Sequence, residues 1–223
     1  MLYPVNEIFE SIQGEATWTG TPSVFLRLQG CDIGCPWCDT KASWMPASSP
    51  EAKALSLSEI LAKTDAAATF AILTEKQIAA MLKTNFSARH IVLTGGEPCS
   101  HDLMPLAEEL LCEGFGVQIE TSGAYEIKAP DAAWVTLSPK IDMPGSAGPL
   151  INSLLRADEI KMPVGKIGDV LRLQSLLPHI RPGTSVWLQP LSQSEKATWV
   201  CIKAATKNGW RLSLQTHKFI GVR

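Results

Sequence analysis

Several common signatures are missing from this chain of 223 residues. No apolar run approaches the ~20 residues of a membrane span, and the opening Met1-Leu-Tyr-Pro-Val-Asn-Glu7 has neither the charged nor the apolar region of a signal peptide. Basic residues are not in excess. With 20 Lys and Arg against 22 Asp and Glu, the net charge of −2 excludes the electrostatic footprint of a general nucleic-acid binder. No internal repeat beyond a βα unit and no linker composition interrupts the chain, so a single domain over residues 1–223 is expected, long enough to bury a substantial core. A hydrophobic fraction of 45% and a mean hydropathy of +0.07 exclude a disordered chain. The expected location is the cytoplasm, where thiols stay reduced and clustered cysteines read as metal ligands.

Three of the six cysteines stand within eight residues, Cys31-Asp-Ile-Gly-Cys35-Pro-Trp-Cys38, directly after the β-like run Val24 to Gln29. An odd number of thiols in one short loop suits disulfide geometry poorly. Soft thiolates converging on a metal suit it well. Zinc with a fourth ligand from Asp39 or a distant cysteine is one reading, and three buried, unligated cysteines another. Neither accounts for the aromatic Trp37 before the last cysteine or the polar Asp39-Thr40-Lys41 after it. Three thiolates on a four-iron cluster would leave one iron open for reaction, whereas an ordinary electron-transfer cluster takes four. Cys99, Cys112 and Cys201 are scattered and read as packing residues, with Cys99 the one to watch.

Short β-branched or alternating runs recur, each ending in an unusual sequence. The run Ile91–Thr94 leads to Gly95-Gly96-Glu97-Pro98, Val117–Glu120 to Thr121-Ser122-Gly123, and Trp134–Leu137 to Ser138-Pro139-Lys140. Together with runs at 24–29, 159–161, 186–188 and 211–214, this gives about seven strands. Helical spacing appears over 103–113, 170–177 and 195–207. Strands alternating with helices predict an α/β fold with a parallel sheet, in which function collects at the carboxyl ends of strands. Residues 44–58 read as a loop excursion, and 124–133 is too short for a crossover helix. An incomplete parallel (βα) barrel with reduced helix content is therefore expected.

The C-x3-C-x2-C loop, with Gly95-Gly96-Glu97-Pro98 after the next strand, resembles the radical S-adenosylmethionine superfamily. The resemblance implies a [4Fe–4S] cluster on Cys31, Cys35 and Cys38, with S-adenosylmethionine chelating the open iron. It places the adenine against backbone around Trp37, Cys38 and Asp39, and the methionine amino group at Gly95, Gly96 and Glu97. Ser122 and the Ser138-Pro139-Lys140 turn would face the ribose and carboxylate. Reductive cleavage of the sulfonium then yields an adenosyl radical that takes hydrogen from substrate.

A narrower resemblance covers nearly the whole chain. Asn6-Glu-Ile-Phe9, Ile12-Gln13-Gly14-Glu15, Arg27-Leu-Gln-Gly-Cys31, Cys38-Asp39-Thr40, Thr94-Gly-Gly-Glu-Pro-Cys99, Glu120-Thr-Ser-Gly123, Ser138-Pro-Lys140 and Gln215-Thr-His-Lys218 are similar to the 7-carboxy-7-deazaguanine synthase family. That family contracts 6-carboxy-5,6,7,8-tetrahydropterin on the route to queuosine. Its members are implied to be homodimers fed by an electron donor such as flavodoxin. One departure is Ala16, where the family has glycine; if the backbone there needs positive φ, the loop is altered.

On this resemblance, Gln13 with the backbone of Ile12 and Gly14 pairs the pyrimidine edge of the pterin. Arg27 offers a fork to its carboxylate, although a buried structural ion pair would also explain a strand arginine. Thr94 and His217 complete the substrate site, with His217 open to a purely structural reading. Thr40 is implied to hold Mg²⁺ bridged to the substrate, a hard cation with oxygen ligands; alternatively it caps the next helix. Two other functions compete. A glycyl-radical activating enzyme shares the cysteine loop but needs no Gln13-Gly14-Glu15 or Gln-Thr-His sequence. A non-catalytic iron–sulfur or zinc protein needs no Gly-Gly-Glu-Pro.

Overall fold

The computed structural model describes residues 1–65 and 67–222. Ten strands form one sheet: β1 (Leu2–Ile12), β2 (Pro22–Leu28), β3 (Lys53–Ala54), β4 (Thr69–Thr74), β5 (His90–Gly95), β6 (Gly116–Thr121), β7 (Trp134–Leu137), β8 (Glu159–Val164), β9 (Ser185–Pro190) and β10 (Arg211–Leu212). Their order is β10-β9-β8-β7-β6-β5-β2-β1-β4-β3. From β2 out to β10 every neighbouring pair is parallel. All seven strands expected from sequence lie in this parallel part.

The helices are α1 (Leu57–Ala62), α2 (Glu75–Asn85), α3 (Met104–Cys112), α4 (Ile151–Arg156), α5 (Ile167–Leu176), α6 (Glu195–Asn208) and α7 (Thr216–Ile220). The link from β6 to β7 carries no helix, as its length and Pro/Asp content require. Capping boxes start α1 at Ser56 with Glu59 and α2 at Thr74 with Gln77, and Gly209 at φ 68° ends α6.

The strand count was low by three, and the sheet is not wholly parallel. β1 runs antiparallel to both β2 and β4. Polar residues inside β1 hide it from a hydrophobicity reading, because what neutralises them is distant in sequence. Buried Asn6 donates to the Gln29 side chain at 2.5 Å, and buried Glu7 pairs with Arg27 at 3.0 Å. The expected loop over 44–58 contains β3 and the start of α1.

Because the parallel strands share a direction, their carboxyl ends form one rim. Inward side chains below it are polar, with period two: Gln118 and Glu120 on β6, Thr136 on β7, Glu159 and Lys161 on β8. Between them, Val117, Ile119, Ile160 and Met162 turn outward into the main apolar core. The sheet curls without closing. After β1 the chain turns back into the barrel, where Trp18 packs on His90 and Trp134, and the Ala16 N–H reaches Ser213 beside β10. This is an incomplete α/β barrel, plugged at the amino ends of its strands and open at the carboxyl rim.

Candidate active site

A cavity of about 590 Å³ opens at that rim. Cys31, Cys35 and Cys38 line it from the loop after β2, together with Trp37, Asp39 and Thr40. Thr94, Gly95, Gly96 and Glu97 line it from the end of β5, Ser122 from β6, Ser138 and Lys140 from β7, and Arg27 from within β2. Pro139 instead lines an adjoining cavity that shares Trp37.

The cysteine loop is clamped from both sides. Gly96 donates its N–H to Leu28 and Glu97 donates to Gly30. A Cβ on Gly96 would lie 2.1 Å from the Gly30 carbonyl oxygen, so only glycine fits. On the far side, Gly145 donates to Ile33, and the Tyr125 hydroxyl donates to Asp32 at 2.6 Å. All three cysteines are free thiols. Burial pushes the Cys31 thiol up to about 11 and also raises Cys35. Among the described residues, no three His, Cys, Asp or Glu side chains gather as closely as a single metal ion needs. Thiolates that each bind a separate iron of a cluster stand further apart than ligands of one zinc. With a mouth open to the cavity and a glycine-walled cradle, the donor set fits a cluster.

Glu97 is nearly enclosed, and its carboxylate accepts from Cys99 N–H at 3.0 Å, Thr121 hydroxyl at 2.6 Å, Ser122 N–H at 2.9 Å and the Ser122 hydroxyl. This fixes a negative charge against the cysteine loop. Lys140 donates to the carbonyl and hydroxyl of Ser138, and burial lowers its pKa. Thr40 occupies the N-cap position of a short 3-10 helix but makes no cap bond; its hydroxyl instead faces Cys38 Sγ at 3.5 Å. Arg27 forms the structural ion pair and also lies at the cavity. Its Nε pairs with Glu7 and an Nη donates to the Gly95 carbonyl, while the group still borders the cavity.

Ile12, Gln13, Gly14 and His217 stand behind the cavity wall. Gln13 donates to Gln118 at 3.2 Å and Glu120 at 3.4 Å, and its carbonyl oxygen accepts from the Glu15 N–H at 3.1 Å. His217 packs on Gly14 so tightly that a Cβ there would sit 2.2 Å from Nδ1. Thr216 donates its backbone N–H to the Gly14 carbonyl at 3.0 Å. The terminal Gln-Thr-His-Lys segment thus docks on the loop after β1 and contributes Gln215 and Lys218 to the wall.

No family model matches the chain. Curated relatives do. It is 44% identical over 225 aligned residues to the 7-carboxy-7-deazaguanine synthase of Escherichia coli K12, covering all of both chains. It is 43% identical to that of Buchnera aphidicola, again over the full length of both. With the Synechocystis enzyme of the same name it shares 37% identity, over 99% of this chain and 94% of that one. The crystal structure of QueE from Escherichia coli superposes with a TM-score of 0.90 at 43% identity, covering 96% of this chain and 94% of that one. The chain belongs to the 7-carboxy-7-deazaguanine synthase family.

Within this 7-carboxy-7-deazaguanine synthase family member, sequence reasoning overlooked the cavity floor. Lys161 lies between two carboxylates, in contact with Glu15 and 2.6 Å from Glu120. Gln215 donates to the other Glu15 oxygen at 2.9 Å. For Glu15, burial opposes ionisation, but the charge and hydrogen bond of Lys161 outweigh it and hold the group well below the carboxylate range. For Glu120, burial wins despite Lys161 and pushes the pKa up to about 7. The available signal was polar side chains at alternate positions inside apolar strands, Gln118 with Glu120 and Glu159 with Lys161. That pattern marks the inward face of a barrel.

Proposed function

We propose that this protein is a radical S-adenosylmethionine lyase that converts 6-carboxy-5,6,7,8-tetrahydropterin to 7-carboxy-7-deazaguanine with loss of ammonia, in queuosine biosynthesis. One observation carries the reading. The cysteine triplet, the Gly95-Gly96-Glu97 turn and the Glu15–Lys161–Glu120 floor face a single cavity, in a chain that matches enzymes of that name end to end.

Cys31, Cys35 and Cys38 would hold a [4Fe–4S] cluster, which when bound would supply the electron for reductive cleavage of S-adenosylmethionine. Gly95, Gly96, Glu97 and Ser122 take its ammonium, since the Glu97 charge is fixed at that place. Lys140, which lacks a carboxylate partner among the described residues, takes the cofactor carboxylate with Ser138, and Pro139 packs behind them. Backbone at Trp37, Cys38 and Asp39 meets the adenine.

Deeper in the cavity, the donor-rich aminopyrimidinone edge of a pterin matches the acceptors Glu15 and Glu120. Gln13 acts by donating to the Glu120 carboxylate and accepting from the Glu15 backbone N–H, and Ile12, Gly14 and His217 hold the loop that carries Glu15. Arg27 and Thr94 would take the substrate carboxylate, and Thr40 would offer its hydroxyl to Mg²⁺. A small acidic electron carrier such as flavodoxin supplies the electron, and the working form is a homodimer in the cytoplasm.

The test is anaerobic incubation of the iron-reconstituted protein with S-adenosylmethionine, Mg²⁺, a reductant and the carboxypterin. A product with the mass of 7-carboxy-7-deazaguanine is expected. Cofactor cleavage that responds to a glycyl-radical protein substrate and not to the pterin would favour the activating-enzyme alternative.

A further inference from the structure

Among the described residues, three polar groups converge on one cysteine sulfur, that of Cys38. Cys38 Sγ accepts from the Thr40 backbone N–H at 3.4 Å and faces the Thr40 hydroxyl at 3.5 Å. The third donor comes from beyond the loop: the Trp44 indole Nε1–H lies 3.3 Å from Cys38 Sγ. By contrast, the donors that face Cys31 and Cys35 are backbone amides.

This placement is built into the fold. The Trp44 carbonyl accepts from Cys31 N–H at 3.1 Å, and the Ser43 carbonyl accepts from Gly30 N–H at 2.7 Å. The fully buried Gln29 donates to the Ala42 and Met45 carbonyls on either side of this pair, and Asn6 on β1 holds Gln29 in turn. The Lys63 ammonium closes the chain by donating to the Asn6 carbonyl at 2.8 Å. A polar relay from the neighbouring strand thus sets the backbone from which the indole reaches the sulfur. Lys41 stands over the Trp44 ring at 5.7 Å and draws density from it, which strengthens the N–H as a donor.

We propose that Trp44 is a tuning residue for the iron–sulfur cluster, acting through its hydrogen bond to Cys38. The inference rests on the reading that Cys31, Cys35 and Cys38 hold that cluster. A donor on a ligating sulfur withdraws negative charge from the iron–sulfur unit. The reduced, more negative state gains more than the oxidised one, so the potential rises. Trp44 therefore makes the cluster easier to reduce by the protein's electron donor.

The experiment uses the full-length protein, reconstituted anaerobically, in wild-type, Trp44→Phe and Trp37→Phe forms, each grown with tryptophan labelled with ¹⁵N in the indole ring. Iron and sulfide content come first: a wild-type protein without a four-iron cluster overturns the underlying reading and this inference with it. With the cluster present, the reduced wild type should show an indole ¹⁵N hyperfine coupling that Trp37→Phe keeps and Trp44→Phe loses. Redox titration should place the Trp44→Phe midpoint potential below the wild type at equal iron content. A wild-type cluster with no indole coupling, or a Trp44→Phe potential unchanged at full occupancy, overturns the role of Trp44 alone. If Trp44→Phe fails to hold its cluster, the coupling in the wild type decides by itself.

Discussion

Gly96 and Cys31 follow different strands, β5 and β2, and meet so closely that no side chain fits between them. A Cβ on Gly96 would stand 2.9 Å from Cys31 Cβ. Gly96→Ala must therefore move either the end of β5 or the cysteine loop. Overpacking of this kind costs about 1–3 kcal/mol. Thermal unfolding should report that loss, and iron content after reconstitution should fall well below wild type.

The six cysteines should divide cleanly. Alanine at Cys31, Cys35 or Cys38 is expected to abolish the iron–sulfur absorption and cofactor cleavage. Cys112 is exposed and Cys201 is packed among the apolar residues of α6, so Cys112→Ala and Cys201→Ala should keep both. Cys99, buried under the Gly-Gly-Glu-Pro turn, should also be dispensable for cluster assembly. Iron analysis with absorption spectra on the six single variants distinguishes these outcomes.

Lys161 separates two buried carboxylates, so Lys161→Met leaves Glu15 and Glu120 facing each other without compensation. Removing one partner of a buried pair costs about 3–5 kcal/mol. Glu120 also imposes a pH dependence of known sign. Its folded pKa is raised, so its contribution to stability is present below the ordinary carboxylate range and lost as pH rises toward about 7. Denaturant titrations from pH 5 to 8 should show this decline in the wild type. In Glu120→Gln this decline should be lost, leaving the opposite, rising contribution of His90 and His217, whose pKa values burial lowers.

Arg27 has two tasks, and its substitutions should separate them. Arg27→Ala removes the ion-pair partner of buried Glu7, so stability is expected to fall as well as substrate affinity. The double variant Arg27→Met with Glu7→Gln removes both charges of the pair. It should recover much of the stability while carboxypterin binding remains weaker, by about tenfold to a hundredfold for one charge-assisted contact. Calorimetric unfolding and equilibrium binding on the same samples check both parts.

Ala16 occupies the left-handed region at φ 53°, the positive φ at which the resemblance predicts glycine. The strain of an L-residue there is about 1–2 kcal/mol. Ala16→Gly relieves it but frees the unfolded chain, at a cost of about 0.4–1 kcal/mol, and gives up the burial of one methyl group. These effects nearly cancel, so Ala16→Gly should be neutral in stability and activity. Ala16→Val, branched and enclosed, should destabilise measurably.

What was legible in the sequence follows from physics that is local. The cysteine loop, the Gly95-Gly96-Glu97 turn and the seven parallel strands announce themselves through short-range spacing and β-branched runs. β1 was missed because Asn6 and Glu7 look solvent-facing until Gln29 and Arg27 are brought beside them. The carboxylate–lysine floor was missed for the same reason: Glu15, Glu120 and Lys161 come from three segments, and only the curl of the sheet joins them. Gln13 lies near the expected place, yet it points at Gln118 and Glu120, an orientation that no single-strand pattern encodes.

The carboxypterin and the deazaguanine product differ by one molecule of ammonia, so the reaction consumes no net electrons and the cofactor can be regenerated. The account is tested most directly by the ratio of 7-carboxy-7-deazaguanine to 5′-deoxyadenosine over many turnovers of the wild-type protein. Product is expected to exceed deoxyadenosine many-fold. One deoxyadenosine released per product, or deoxyadenosine without any deazaguanine, would contradict it.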